Sequence, residues 1–173
     1  GGTGVTGLII SNSTIRGNGG AGVDSAGPDL RALRNRITDN GDGIATSGDN
    51  ATILGNNISA NADDGIDVQG RNVTIRDNAI RGNDGTGVFL DYTGTPGSPR
   101  TTPANAIRNN TVTDSGESGG VVDRNGVPVV GNTLLGNDEA GIQIKSNGDE
   151  SVVRNNTARD NRYGIRLYEY DSG

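Results

Sequence analysis

The sequence predicts an all-β fold, a right-handed parallel β-helix (a solenoid) of about seven coils with a period of about 22 residues. One pattern recurs along the chain: Asn-x-hydrophobic-x-x-Asn, followed after a few residues by Gly-Ile or Gly-Val. Within the copies apolar residues alternate with the period of a strand, and no segment sustains a helical period. Only 30% of the residues are apolar, which suits the narrow core of a solenoid better than a compact globule.

Seven copies of the pattern begin 22, 21, 22, 32, 22 and 24 residues apart. Each copy predicts two or three short strands, and successive coils would stack about 4.8 Å apart. A leucine-rich repeat has a similar period, but its leucine consensus is missing here. The copies are STIRGNGGAGV (Ser13–Val23), NRITDNGDGI (Asn35–Ile44), NNISANADDGI (Asn56–Ile66), NAIRGNDGTGV (Asn78–Val88), NTVTDSGESGGV (Asn110–Val121), NTLLGNDEAGI (Asn132–Ile142) and NTARDNRYGI (Asn156–Ile165).

Each position of the pattern has a structural interpretation. In the copy that begins at Asn78, we expect Asn78 and Asn83 to stack on their counterparts in buried amide ladders, with Ile80 in the core. The glycine before Ile or Val predicts a corner conformation that a Cβ would resist. The asparagines could instead be metal or sugar ligands, but their repetition in every coil favours the scaffold role.

Composition limits the function classes. The net charge of −6 argues against a nucleic-acid partner, which would need a basic stripe. No apolar stretch approaches the roughly 18 residues of a membrane span, and no signal peptide is recognisable. The absence of cysteine fits any compartment. We expect residues 1–173 to form a single β-helix domain, which could be a fragment of a longer protein.

The interval of 32 residues contains an insertion, DYTGTPGSPRTTPANA (Asp91–Ala106). Its prolines and glycines cannot continue a ladder of strands, so it predicts a loop of about ten extra residues that leaves the rod. The loop could form the wall of a groove or be a tolerated surface insertion.

No cofactor is expected from the sequence. Acidic turn strings such as NADDG (Asn61–Gly65) lack the spacing of a calcium loop, so their carboxylates are interpreted as solvated, with a weak structural Ca²⁺ site as the alternative. The Asn-x-Ser/Thr strings at Asn12 and Asn72 are explained by the abundance of these residues and do not predict glycosylation.

The residues after each Gly-Ile or Gly-Val predict an outward face. If Ile44, Val88, Val121 and Ile142 point inward, alternate residues after them point outward in two columns. These columns are Asp24, Ala45, Asp67, Phe89, Val122, Gln143 and Arg166, and Ala26, Ser47, Gln69, Asp91, Arg124, Lys145 and Tyr168. The alignment turns Asp123 inward, which leaves the register of Gly119–Asp123 open by one residue.

This face is the predicted binding site. Cations can pair with the carboxylates of an acidic sugar, and tyrosine can stack on a sugar ring. The alternative is the mixed charged surface that any soluble rod needs. The predicted substrate-binding residues are Asp67, Phe89, Asp91, Tyr92, Arg124, Lys145, Arg166 and Tyr168.

The repeats and the insertion together resemble the parallel β-helix of mannuronan C-5-epimerases, most closely the C-terminal half of their catalytic module. There a GNTISGS-like coil follows a Gly/Thr-rich insertion, as NNTVTDS (Asn109–Ser115) follows the insertion here. GVVDRN (Gly120–Asn125) is similar to a Gly-Ile-x-acid-Arg-Asn string of that family. The family's active site contains an Asp-Pro-His motif, a second His and a Tyr on earlier coils. This chain has no His and no Asp-Pro, so no catalytic residue is assigned.

Three functions remain open. The first is a non-catalytic module that binds or is displayed along an extracellular, acidic, alginate-like polysaccharide, secreted or at the cell surface. The second is an epimerase or lyase, in which Arg124, Lys145 or Arg166 neutralises a uronate carboxylate and Tyr168 exchanges protons. The third is a purely structural rod. Unpaired strand edges at the two ends of a β-helix also predict end-to-end self-association.

Overall fold

The computed structural model describes residues 5–91, 105–145 and 150–168, and it confirms the predicted parallel β-helix. These residues form 21 strands in three parallel sheets of seven strands, and successive strands enter sheets A, B and C in turn. Each coil therefore has three strands. In the described part of the chain, no helix is long and apolar enough to cross a membrane.

Nearly all strands have three residues, as expected for coils with closely spaced corners. Sheet A consists of β1 (Ile9–Ser11), β4 (Arg31–Leu33), β7 (Thr52–Leu54), β10 (Thr74–Arg76), β13 (Ala106–Arg108), β16 (Pro128–Val130) and β19 (Val152–Arg154). Sheet B consists of β2 (Thr14–Arg16), β5 (Arg36–Thr38), β8 (Asn57–Ser59), β11 (Ala79–Arg81), β14 (Thr111–Thr113), β17 (Thr133–Leu135) and β20 (Thr157–Arg159). Sheet C consists of β3 (Val23–Ser25), β6 (Ile44–Thr46), β9 (Ile66–Val68), β12 (Val88–Leu90), β15 (Gly120–Val122), β18 (Ala140–Lys145) and β21 (Tyr163–Tyr168).

Each described corner between sheets contains one residue in the left-handed conformation. In one coil these are Arg34 (φ 54°), Asp39 (φ 58°) and Asn50 (φ 63°). Asn and Asp tolerate this conformation better than most side chains, because their short polar groups bond locally to the backbone. The many asparagines and aspartates of the chain are therefore partly explained by corner geometry.

The glycine before each inward Ile or Val has another role than the one predicted. None of these glycines has a positive φ. A Cβ on Gly65 would instead lie 2.6 Å from the Gly87 carbonyl oxygen, 2.7 Å from Ile80 Cγ2 and 2.9 Å from Asn83 Nδ2. The glycines are required because the next coil approaches closely, and the expectation of a special corner conformation is wrong.

The predicted buried asparagine ladder is confirmed, and the described residues form two such ladders. In the A–B ladder, at the corner between sheets A and B, Asn56 Nδ2 donates to Asn78 Oδ1 (3.0 Å) and to the Ala32 carbonyl (2.9 Å). The Asn56 backbone N–H donates to the same Asn78 Oδ1 (2.9 Å). Because one asparagine serves three coils in this way, the amides satisfy buried backbone groups as well as one another. The A–B ladder contains Asn35, Asn56, Asn78, Asn110, Asn132 and Asn156.

The B–C ladder, at the corner between sheets B and C, is interrupted in the fifth coil. It contains Asn18, Asn40, Asn61 and Asn83, then Ser115, then Asn137 and Asn161. Ser115 is too short to accept from Asn83, so Asn83 Nδ2 and Ser115 Oγ are buried without a hydrogen-bond partner. An unsatisfied buried polar group costs about 1–3 kcal/mol.

We expect Ser115→Asn to raise the free energy of unfolding by about 1–2 kcal/mol, because the new Oδ1 would accept from Asn83 Nδ2. The gain should appear as a higher thermal unfolding temperature. Ser13→Asn is the matched control, since Ser13 occupies a ladder position in the A–B ladder but is exposed. An equal gain in both variants, or none at Ser115, would contradict the explanation.

The register of β15 differs by one residue from the predicted one, which changes the residues on the predicted outward face. Val88 pairs with Gly120 and Gly120 pairs with Ile142, so Gly120 occupies the inward position. Val121 pairs with Phe89 and with Gln143, which puts it in the outward column that was predicted to contain Val122. The inward position assigned to Val121 and the outward position assigned to Arg124 are therefore wrong by one residue. Asp123 follows in the outward direction.

Candidate functional site

The outer face of sheet C presents two columns of side chains from successive coils. The inner residues of its strands, such as Ile66, Val88 and Ile142, are fully buried in the core. Alternate residues therefore point away from it. With the corrected register, the columns are Asp24, Ala45, Asp67, Phe89, Val121, Gln143 and Arg166, and Ala26, Ser47, Gln69, Asp91, Asp123, Lys145 and Tyr168.

A groove of about 600 Å³ lies on this face, and we call it the sheet C groove. It extends from Asp64 and Thr86 in the third and fourth coils to Arg166 and Tyr168 in the seventh. Phe89 and Lys145 line it between these ends. It is an open, largely polar channel that runs along the stacked coils, a shape that suits an extended ligand.

Cations and aromatic rings meet at the C-terminal end of the groove. The Lys145 ammonium lies 4.8 Å from the centroid of the Phe89 ring. The Arg166 guanidinium lies 4.9 Å from the Tyr168 ring and 5.2 Å from the Tyr163 ring, and it pairs with Glu139 at 3.4 Å. Tyr163 is 40% exposed and Tyr168 is 36% exposed. The cations are thus held in position by rings that remain accessible to a ligand.

The opposite end of the groove is acidic. Carboxylate oxygens of Asp42, Asp63 and Asp64 lie within 4.8 Å of one another. Asp42 Oδ1 accepts the Asp64 backbone N–H (3.1 Å), and Asp64 Oδ1 accepts the Thr86 backbone N–H (2.7 Å). No ion pair of the described residues involves these three carboxylates. Three oxygens at this spacing could hold a hard cation such as Ca²⁺.

Burial and mutual repulsion raise the pKa values of carboxyl groups at this acidic end. Burial raises the pKa of Asp64 to about 7. The hydrogen bond from the Thr86 N–H lowers this pKa, and the negative charges of Asp63, Asp67 and Asp42 raise it further. Burial and the charges of Asp42 and Asp91 raise the pKa of Asp67 to about 6. Burial also raises the pKa of Asp42. The groove therefore changes its charge near neutral pH.

We expect the free energy of unfolding to fall as the pH rises through the window from about 4 to about 7. Asp64 and Asp67 keep their protons in the folded chain over this window, while the unfolded chain loses them near pH 3.8, so folding takes up protons. Thermal unfolding should occur at a higher temperature near pH 5 than near pH 8. Asp64→Asn should raise the unfolding temperature near pH 8 and flatten this dependence.

Asp138→Asn is the matched control for that prediction, because Asp138 is an exposed carboxylate on the same side of the rod. It should leave the pH dependence of the unfolding temperature unchanged. An unfolding temperature that rises with pH over the same window, or an Asp64→Asn variant with unaltered slope, would contradict the assignment.

The structure brings together only part of the predicted binding set. Phe89, Lys145, Arg166 and Tyr168 line the sheet C groove. Asp67 lies in the same outward column as Phe89, with its Oδ1 buried and unpaired. Asp91 lies in the second column and belongs to the described residues, whereas Tyr92 lies outside them.

Arg124 is the predicted binding residue that the structure places elsewhere. Its guanidinium Nη2 donates to the backbone carbonyl of Gln69, two coils away. Its side chain therefore ties coils together at the corner between sheets C and A. The one-residue shift in β15 explains the error, because it moves Arg124 out of the second outward column.

The sequence reasoning missed Asp42, Asp64, Glu139 and Tyr163. Asp64 lies in the acidic string NADDG, which was interpreted as a solvated turn. The signal that could have identified these residues is the column two positions before each inward Ile or Val, which contains Asp42, Asp64 and Tyr163. Glu139 was missed because its role depends on pairing with Arg166 in the next coil.

Comparisons with known proteins agree with this architecture. The family model described as right-handed beta helix region matches residues 2–102 and 97–171. No curated protein matches the sequence significantly.

Solved structures with the same fold include polysaccharide epimerases. The periplasmic alginate epimerase AlgG is similar over 95% of this chain and 45% of its own, with 19% identity and a TM-score of 0.70. The AlgE4 A-module, a mannuronan C-5 epimerase of Azotobacter vinelandii, is similar over 97% of this chain and 58% of its own, with 17% identity and a TM-score of 0.61. The chain thus spans about half the length of these structures. The resemblance found in the sequence is confirmed at the level of the fold.

Proposed function

We propose, from the premise that this chain belongs to the right-handed β-helix family, that it binds an acidic, alginate-like polysaccharide along sheet C. The observation that carries the proposal is the C-terminal end of the sheet C groove, where Lys145 and Arg166 lie against aromatic rings. A planar guanidinium binds a carboxylate through two parallel hydrogen bonds. The accessible faces of the tyrosine rings can pack against the C–H face of a sugar.

Cations are present at this end of the face although the whole chain is acidic, and they lie beside Glu117 and Glu139, which also line the groove. The net charge is −6, but Lys145, Arg166 and the neighbouring Arg162 place positive charge on the last two coils. A linear polymer could follow the groove, because the groove runs along coils that are stacked about 4.8 Å apart. The structural likeness to epimerases of alginate and mannuronan supports a uronate ligand and an extracellular or periplasmic location.

Catalysis is the second candidate function, and Asp64 is the observation in its favour. A carboxyl group with a pKa of about 7 can take up and release a proton at neutral pH, and it lies in the same groove as two cations. An epimerase or lyase must neutralise the uronate carboxylate and remove the proton at carbon 5. Lys145 or Arg166 would supply the first role and Asp64 or Tyr168 the second.

One experiment separates binding, catalysis and a purely structural rod. The chain is incubated with alginate, pectate and a neutral polysaccharide, and we measure retention on each polymer, absorbance from unsaturated uronate and the NMR spectrum of the product. The proposal expects retention on an acidic polymer, with neither unsaturation nor changed stereochemistry. Product formation would establish the enzyme, and equal retention on the neutral polymer or none at all would leave the structural rod.

End-to-end self-association remains a further proposal. Ile165 is 57% exposed and Leu167 is 79% exposed, although their counterparts in the preceding coil, Ile142 and Ile144, are covered by the last strand of sheet C. Exposed apolar residues on a strand that is paired on one side favour stacking of another β-structure. A sedimentation coefficient that stays at the monomer value over a wide concentration range would argue against it.

A further inference from the structure

Asn-Gly dipeptides occur at four places in the chain, and three of them belong to the described residues. These are Asn18–Gly19, Asn40–Gly41 and Asn125–Gly126. The same dipeptide therefore occurs in three different environments of one fold. This allows a comparison in which only the surroundings differ.

An Asn-Gly dipeptide can deamidate without an enzyme. The glycine backbone nitrogen loses its proton and attacks Cγ of the asparagine side chain. A C–N bond forms, the bond from Cγ to the side-chain nitrogen breaks, and that nitrogen leaves as ammonia. Water then opens the five-membered succinimide ring at either carbonyl and gives aspartate or isoaspartate. Glycine permits the attack because it has no Cβ to obstruct it. The fold controls the rate through the freedom of the glycine N–H and of the asparagine side chain.

Asn40 is held in a non-reactive geometry by the B–C ladder. Its Nδ2 donates to the Thr38 carbonyl (3.1 Å) and to Asn61 Oδ1 (3.2 Å), and its Oδ1 accepts Asn18 Nδ2 (2.8 Å). The Gly41 N–H donates to the Gly20 carbonyl at 2.9 Å. Asn40 is only 3% exposed, so water also has little access. Both reacting groups would have to break hydrogen bonds before they could meet.

Asn18 is intermediate between the two extremes. It is exposed at the end of the same ladder, and its backbone N–H and Nδ2 both donate to Asn40 Oδ1 (3.2 and 2.8 Å). The Gly19 N–H makes no hydrogen bond within the described ranges. The attacking group is therefore free, while the leaving amide is restrained.

At Asn125–Gly126, neither the asparagine side-chain amide nor the glycine N–H is restrained by a hydrogen bond. It lies in the turn between β15 and β16, and its side chain makes no hydrogen bond to any described residue. The Gly126 N–H is also without a partner in the described part of the chain, and a Cβ at this position would meet nothing within 4 Å. The Asn125 Oδ1 is buried without a donor, so no hydrogen bond holds the side-chain amide in its present orientation.

We propose that Asn125 is a site of spontaneous deamidation, and that it is the fastest of the three. The product adds a negative charge next to Arg124, whose guanidinium holds the Gln69 carbonyl, and the isoaspartate form adds a backbone methylene at the turn. The modification depends on the fold alone and on no ligand. It would make the corner between sheets C and A progressively more acidic as the protein ages.

The test is incubation of the folded chain at mildly alkaline pH, followed by peptide mapping with mass spectrometry. Asn125 should convert at least about tenfold faster than Asn40, since each hydrogen bond that must break costs about 0.5–1.5 kcal/mol. Asn18 should convert at an intermediate rate. In a denaturant the three rates should converge, which shows that the fold causes the difference.

Asn125→Ser is the matched variant, because it should remove the deamidated species that forms at this turn in the native chain. Its thermal unfolding should match that of the unmodified chain, since the replaced side chain makes no hydrogen bond. Folded-state rates that are equal at Asn125 and Asn40, or fastest at Asn40 or Asn18, would overturn the proposal.

Discussion

Gly65→Ala is expected to lower the free energy of unfolding by about 3 kcal/mol or more, although it adds only one methyl group. The new Cβ would lie 2.6 Å from the Gly87 carbonyl oxygen and 2.7 Å from Ile80 Cγ2. Neither can retreat easily, because the carbonyl accepts the Ile66 N–H and the isoleucine is part of the core. For a chain of this length the unfolding temperature should fall by about 6–12 °C.

Gly82→Ala is the control for Gly65→Ala. Gly82 has a positive φ of 57°, but a Cβ there would meet nothing within 4 Å. Ala60 already occupies the same corner of the preceding coil with φ 54°. The control should therefore cost only about 1 kcal/mol. If the two substitutions have equal effects, the close approach of the coils is not what selects glycine before the inward residue.

Arg166→Ala is expected to weaken binding of an oligouronate by about 10- to 100-fold. The lost hydrogen bonds to a charged carboxylate are together worth about 1.5–3 kcal/mol. Adding Tyr168→Ala should abolish measurable binding, because the ring that orients Arg166 and faces the ligand is then also removed. Isothermal titration of short uronate oligomers measures both effects.

Two further variants locate the effect on sheet C. Arg159→Ala removes an exposed arginine from the same coil but from sheet B, and it should leave binding unchanged. Glu139→Gln removes the carboxylate that competes for Arg166 at 3.4 Å, and it should strengthen binding. Equal losses from Arg166→Ala and Arg159→Ala would indicate non-specific attraction of a polyanion to the end of the rod.

The coil architecture was predictable from the sequence because it is repeated. Seven copies of one pattern fix the period, the ladder asparagines and the inward Ile or Val, and an error in one copy is corrected by the others. The register at β15 escaped this correction. In the string GGVVD either of the two glycines could precede the inward residue, and only the pairing of Gly120 with Val88 and Ile142 decides between them.

The groove was only partly predictable, since its properties depend on neighbours from different coils. That Arg166 lies against Tyr168 follows from their spacing of two residues in one strand. That Lys145 reaches Phe89, or that burial raises the pKa of Asp64 to about 7, depends on side-chain packing that a one-dimensional pattern does not encode. The role of glycine was misjudged for the same reason, because the obstructing atoms belong to the following coil.

The central claim is that the face of sheet C recognises an acidic polysaccharide. Its most direct test is isothermal titration of the intact chain with a uronate oligomer and, separately, with a neutral oligosaccharide of the same length, at low and high salt. We predict saturable binding of the uronate oligomer that weakens with added salt, and no binding of the neutral one. Absence of saturable binding to the uronate oligomer, or equal affinity for both, would contradict the claim.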